Sequence, residues 1–130
     1  MKTEKDMPVL FKKILIVDDH ETNRKVLSLF LQRYNVRADE AKDGKEALEA
    51  VKQKHYDIIF MDLEMPIMDG YTAAKTLLGE SPPPFVIMVT ANRSDMNRKR
   101  CLELGVTDYV EKPIRIETIH DALIRCTRVE

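Results

Sequence analysis

Ile58-Ile59-Phe60-Met61-Asp62 is an apolar run that ends in a carboxylate, and two other stretches share its form. Ile14-Leu15-Ile16-Val17 runs into Asp18-Asp19, and Val86-Ile87-Met88-Val89 runs into Thr90. Each run is too short for a helix and rich in β-branched residues. Such runs are the habit of strands buried on both faces, as in a parallel sheet covered by helices. Two weaker strands are expected at Val36–Glu40 and Val106–Val110. Their polar residues place them at the sheet edges.

Between the strands the apolar period changes to that of a helix. One stripe is Val26, Leu27, Phe30, Leu31 and Tyr34, and a second is Ala47, Leu48 and Val51, entered through Asp43-Gly44. A third is Tyr71, Ala74, Leu77 and Leu78, ended by Gly79 and Pro82-Pro83-Pro84. A fourth is Met96, Cys101 and Leu104, stopped by Gly105, and a fifth is Ile116, Ile119, Leu123 and Cys126, beginning after Pro113. These stripes are core faces first. Parallel neighbours need crossovers, and the helices supply them. With the most apolar strands central, the fold is α/β: a flavodoxin-like doubly wound (βα)5 domain, its five-stranded parallel sheet in the order 2-1-3-4-5 with helices on both faces. Residues 1–11 read as a lead-in or linker and 12–130 as the domain.

The chain has 130 residues, 44% hydrophobic and 33% charged, with a formal net charge of −1. That suits one soluble domain with a proper core and disfavours direct nucleic-acid binding, which needs a basic surplus. No apolar run approaches the roughly 20 residues of a membrane span, and no signal peptide leads the chain. Cys101 and Cys126 have no metal-ligand spacing and read as reduced buried thiols. A cytoplasmic location is expected.

Strand order decides where the chemistry lies. Ligands of an open α/β sheet bind beyond the carboxyl ends of the strands, where the order reverses, here between the first and third. Asp18, Asp19 and Asp62 therefore converge. Carboxylates crowded in this way repel one another and need a positive partner. Oxygen ligands suit a hard cation such as Mg²⁺. Thr90 and Lys112 end neighbouring strands and add a hydroxyl and an ammonium. Together these groups suit phosphoryl transfer with Asp62 as nucleophile. Each has a plainer reading alone: Asp19 as a helix N-cap, Thr90 as a polar strand end, Lys112 as a solvated lysine, Asp62 as a turn-former before Pro66. Four strand ends carrying complementary groups to one crevice argue against coincidence.

At these residues the sequence resembles the receiver domain of two-component response regulators. The matching pieces are Ile14 to His20 (ILIVDDH), Ile58 to Gly70 (IIFMDLEMPIMDG), Met88 to Asn92 (MVTAN) and Asp108 to Pro113 (DYVEKP). The resemblance implies that Asp62 is the phosphoacceptor. It implies that Asp18, Asp19, Asp62 and the backbone carbonyl of Glu64 hold Mg²⁺. It makes Lys112 the cation on the phosphoryl group, with a cis peptide to Pro113. Thr90 becomes the switch hydroxyl, and Tyr109 an aromatic that rotates inward as Thr90 moves. Glu64 and Asn92 flank the expected path of a hydrolytic water. The donor would be a histidine kinase or a histidine phosphotransfer protein. The stretches Asp19 to Arg24 and Met65 to Gly70 look like receivers attached to hybrid histidine kinases. The fourth helix, with Asn97-Arg98-Lys99-Arg100 and few apolar anchors, offers with the fifth strand and fifth helix an output or homodimer surface. The plainer reading of Arg98 to Arg100 is a solvated helix face. His20 reads as a loop residue beside the acidic pair, and His55 and His120 read as surface residues.

The implied function is a phosphorylation-operated switch that acts on no diffusing substrate. Two alternatives fit less well. A Mg²⁺-dependent phosphatase would use Asp62 with Glu64, but its motif belongs after the first strand and it needs a substrate-capping insertion. A flavin-binding module needs a phosphate loop where Asp18-Asp19-His20-Glu21 would repel the phosphate.

Overall fold

The computed structural model describes residues 12–65, 67–91 and 94–126. The proposed lead-in, Pro66 and Asn92 lie outside the described residues. Five βα units follow in order: β1 (Ile14–Val17), α1 (Glu21–Gln32), β2 (Asp39–Ala41), α2 (Gly44–Gln53), β3 (Ile58–Asp62), α3 (Gly70–Leu77), β4 (Phe85–Thr90), α4 (Asp95–Leu104), β5 (Asp108–Glu111) and α5 (Ile116–Arg125). The strands form one sheet in the order β2-β1-β3-β4-β5, all pairs parallel.

Side chains alternate across a strand, so each apolar run feeds two cores. Ile14, Ile16, Ile58, Phe60, Ile87, Val89 and Val110 face Leu27 and Leu31 of α1 and Ile119, Ala122 and Leu123 of α5. Leu15, Val17, Ile59, Met61, Val86, Met88 and Tyr109 face Ala47 of α2, Ala73, Ala74 and Leu77 of α3 and Cys101 of α4. Both faces of the three central strands are covered, which is why these strands carry no alternation of polar and apolar residues.

Helix starts follow from local chemistry. Asp43, Asp69 and Ser94 each cap a helix, accepting from the N–H of Glu46 (2.8 Å), Thr72 (2.7 Å) and Asn97 (3.1 Å) respectively. At the end of α4, Gly105 adopts φ 112°, the left-handed cap that glycine allows without strain. The N-cap of α1 is His20, not Asp19, and its side chain makes no cap bond.

Three sequence expectations shift. β2 is Asp39–Ala41 rather than Val36–Glu40, because pairing with β1 begins only at Leu15↔Asp39. Val36 is buried in the core just before the strand, so its apolar character serves packing and not the ladder. β5 likewise starts at Asp108; Val106 and Thr107 enter through bonds to the carbonyls of Cys101 and Val86. Met96 and Val26 are 72% and 40% exposed and belong to no core, so α4 is held by little beyond Cys101 and Leu104. Both cysteines are free and buried. Among the described residues, no helix is long and apolar enough to cross a membrane.

Candidate functional site

Register alone brings the polar residues together. Val17 pairs with Met61, and Asp62 pairs with Val89, so the residues that follow β1, β3 and β4 emerge at one end of the sheet. There Lys112 Nζ lies 3.1 Å from Asp18 Oδ2 and 3.5 Å from Asp62 Oδ1. Asp18, Asp62 and Thr90 are buried, and Lys112 is partly so. The Lys112–Pro113 peptide is cis. The Lys112 N–H donates to the Thr90 carbonyl at 2.8 Å, which ties the lysine to the end of β4.

Asp62 is short of compensation. Burial, and secondarily the charges of Asp18 and Asp19, push its carboxyl up to about 6 against the pull of Lys112 and of the Glu64 N–H. That N–H approaches Asp62 Oδ1 at 3.4 Å. One ammonium among three carboxylates leaves the crevice negative. Asp19 Oδ1 is buried and accepts no hydrogen bond among the described residues. A crowded set of hard oxygens with an unused lone pair suits a divalent cation such as Mg²⁺.

The residues expected to switch form a connected path. Thr90 Oγ1 donates to Glu64 Oε1 at 3.2 Å. Tyr109 is 5% exposed, packed in the core cluster that also holds Cys101, and hydrogen-bonded to Thr90. The aromatic ring lies inside, against the sheet. Burial raises the Tyr109 hydroxyl above its ordinary pKa, so it stays neutral.

Three roles were not visible in residue spacing. The Glu64 side chain accepts a hydrogen bond from the Thr90 hydroxyl. Arg24 donates from Nη1 to the Asp18 carbonyl at 2.7 Å and from Nε to Glu40 at 3.0 Å, bracing the β1 end against the β2 edge. A cation in the first turns of a helix opposes the helix dipole, and that placement was the signal that Arg24 has a partner. Gly70 lies so close to the β3 end that a Cβ there would sit 2.1 Å from the Asp62 carbonyl oxygen. Of the other histidines, His55 is exposed, whereas His120 is half-buried beside the Tyr34 ring with Nδ1 buried.

Residues 14–124 match the response regulator receiver domain family. The chain belongs to that family. It is 34% identical over 120 residues to hybrid signal transduction histidine kinase K of Dictyostelium discoideum, a match covering 85% of this chain and 10% of that protein. In three dimensions it resembles the chemotaxis protein CheY4 of Vibrio cholerae, with a TM-score of 0.81, 29% identity, and 89% and 98% of the two chains covered. It also resembles a chain of the Saccharomyces cerevisiae complex between the histidine phosphotransfer protein Ypd1 and the receiver domain of Ssk1, with a TM-score of 0.78, 28% identity, and 86% and 87% covered. The chain is therefore a receiver domain of two-component signalling, a family of phosphoacceptor switches. Receiver domains bind Mg²⁺ at an acidic pocket, and Asp18 and Asp19 form such a pocket here.

Proposed function

We propose that Asp62 accepts a phosphoryl group from a phosphohistidine and that the domain relays the resulting change of surface. One observation carries this reading: the Lys112 ammonium lies within 3.5 Å of both Asp18 and Asp62, at the crevice where strand order reverses. Asp62 Oδ attacks phosphorus, the P–N bond of the donor breaks, and its electron pair returns to the imidazole. Lys112 neutralises the equatorial oxygens as charge spreads over them. The carboxylates of Asp18, Asp19 and Asp62, with the Glu64 carbonyl, would hold Mg²⁺. When bound, Mg²⁺ supplies further positive charge against the phosphoryl oxygens and relieves the carboxylate crowding.

Thr90 then exchanges Glu64 for a phosphoryl oxygen, and Tyr109, already buried beside it, is held inside. The result is a shift between two surface states, limited by the difference in interaction that the phosphoryl group makes with each. The weakly anchored α4 is the part that yields most cheaply. With β5 and α5 it forms the output or homodimer surface. The donor is a histidine kinase or a histidine phosphotransfer protein. The Ypd1 complex with a similar receiver domain supports this donor class. The receiver unit runs from residue 12 to 130, works in the cytoplasm, and turns over nothing but its own phosphoryl group.

Incubation with acetyl phosphate and Mg²⁺ tests the acceptor. Labelling is expected in the unaltered protein and abolished in Asp62→Asn. Retained, acid-stable label in that variant contradicts the assignment.

A further inference from the structure

The acidic pair is followed by His20, whose imidazole turns back over it. His20 is the N-cap residue of α1 with φ −98° and ψ 116°, and its side chain does no capping. Its backbone N–H donates to Asp18 Oδ1 at 2.9 Å, which closes the turn and sets the direction of the ring. Nδ1 then lies 3.1 Å from Asp19 Oδ1 and 3.5 Å from Asp18 Oδ1. One ligand atom from each of the three residues fits within a mutual separation of 4.8 Å. Neighbouring ligands around an octahedral ion with bonds of about 2.1 Å sit about 3 Å apart. The two Nδ1 separations, 3.1 and 3.5 Å, are near that spacing. The Nδ1–Oδ1 approach to Asp19 is not a formed hydrogen bond, since that oxygen accepts none among the described residues. Both atoms keep a lone pair for a cation. The His20 side chain is 68% exposed, so the ring can adjust by a few tenths of an ångström without disturbing the core.

We propose that His20 Nδ1 is a further protein ligand of the cation site, beside Asp18 and Asp19, which makes this receiver favour nitrogen-accepting divalent ions such as Mn²⁺ and Co²⁺ over Mg²⁺. The inference rests on the reading of Asp18 and Asp19 as cation ligands. Carboxylates serve Mg²⁺ and Mn²⁺ alike, whereas an imidazole adds affinity for the later first-row ions and little for Mg²⁺. His20 thus acts on the choice of ion rather than on the presence of a site.

The test measures Mn²⁺ binding from the loss of the free-ion electron paramagnetic resonance signal, with Mg²⁺ as competitor, in the unaltered protein and in His20→Asn, His20→Gln and Asp19→Asn. Asparagine is a favoured N-cap, so His20→Asn keeps the start of α1, and melting curves check both substitutions. Electron spin echoes of the bound Mn²⁺ should carry modulation from a directly bound imidazole nitrogen in the unaltered protein and lose it in both His20 variants. The preference for Mn²⁺ over Mg²⁺ should fall by at least about tenfold. Mn²⁺ that binds, is lost in Asp19→Asn, and yet carries no nitrogen modulation leaves the carboxylate site standing and overturns the role of His20. An unchanged preference in the His20 variants overturns it too. Failure of either ion to bind the unaltered protein overturns the carboxylate site and this inference together.

Discussion

On the proposed function, Asp62 is a nucleophile held in a place that resists its charge. Burial raises its carboxyl to about 6, and Lys112 is the stronger of the two groups that work against this, ahead of the Glu64 N–H. Lys112→Ala should leave the fold intact, because the ammonium is partly exposed and fills no core position. It should slow phosphorylation by acetyl phosphate by about a hundredfold, the scale set by removing one preorganised charge from a transition state. A phosphorylation rate within a factor of about two of the unaltered protein, measured by stopped assays at saturating Mg²⁺, would show that Lys112 does not face the phosphoryl group. The acids were legible in the sequence because each follows an apolar run whose burial is predictable. The hydrogen bond from Thr90 to Glu64 was not. It joins the end of β4 to the loop after β3, residues 26 apart, and no periodicity reaches across a loop.

Among the elements, α3 begins at the glycine with the least room for a side chain. Its first residue, Gly70, donates its N–H to the Leu63 carbonyl at 2.8 Å. A Cβ at Gly70 would lie 2.1 Å from the Asp62 oxygen and 2.8 Å from Leu63 Cα. These are backbone atoms, so no side chain can swing away. Gly70→Ala should cost about 1–3 kcal/mol in urea unfolding and also slow labelling of Asp62, because relief comes only by moving the β3 end. Unchanged stability and labelling would mean that the contact is not that close. Strand and helix order was readable from period alone. Boundaries were less so: Val36 is apolar for the core and not for β2, and Met96 continues a helical stripe yet faces solvent. An apolar residue announces burial, not the hydrogen-bond ladder that defines a strand.

At the scale of the whole molecule, strand order turns a list of polar residues into a site. Asp18, Asp62, Thr90 and Lys112 are separated along the chain and share one end of the sheet only in the order β2-β1-β3-β4-β5. The site is also a store of repulsion, and a cation that binds only the folded domain should stabilise all of it. At about a hundred times its dissociation constant, Mg²⁺ should add about 2.7 kcal/mol, a rise of several degrees in Tm for a domain of this size. An unmoved Tm at saturating Mg²⁺ would argue against the crevice as a metal site. The central claim is that Asp62 carries the phosphoryl group. Its most direct measurement is mass spectrometry of the protein treated with acetyl phosphate and Mg²⁺, followed by borohydride reduction and peptide mapping. The account predicts one added phosphoryl group and homoserine at position 62; modification at any other residue, with Asp62 intact, would contradict it.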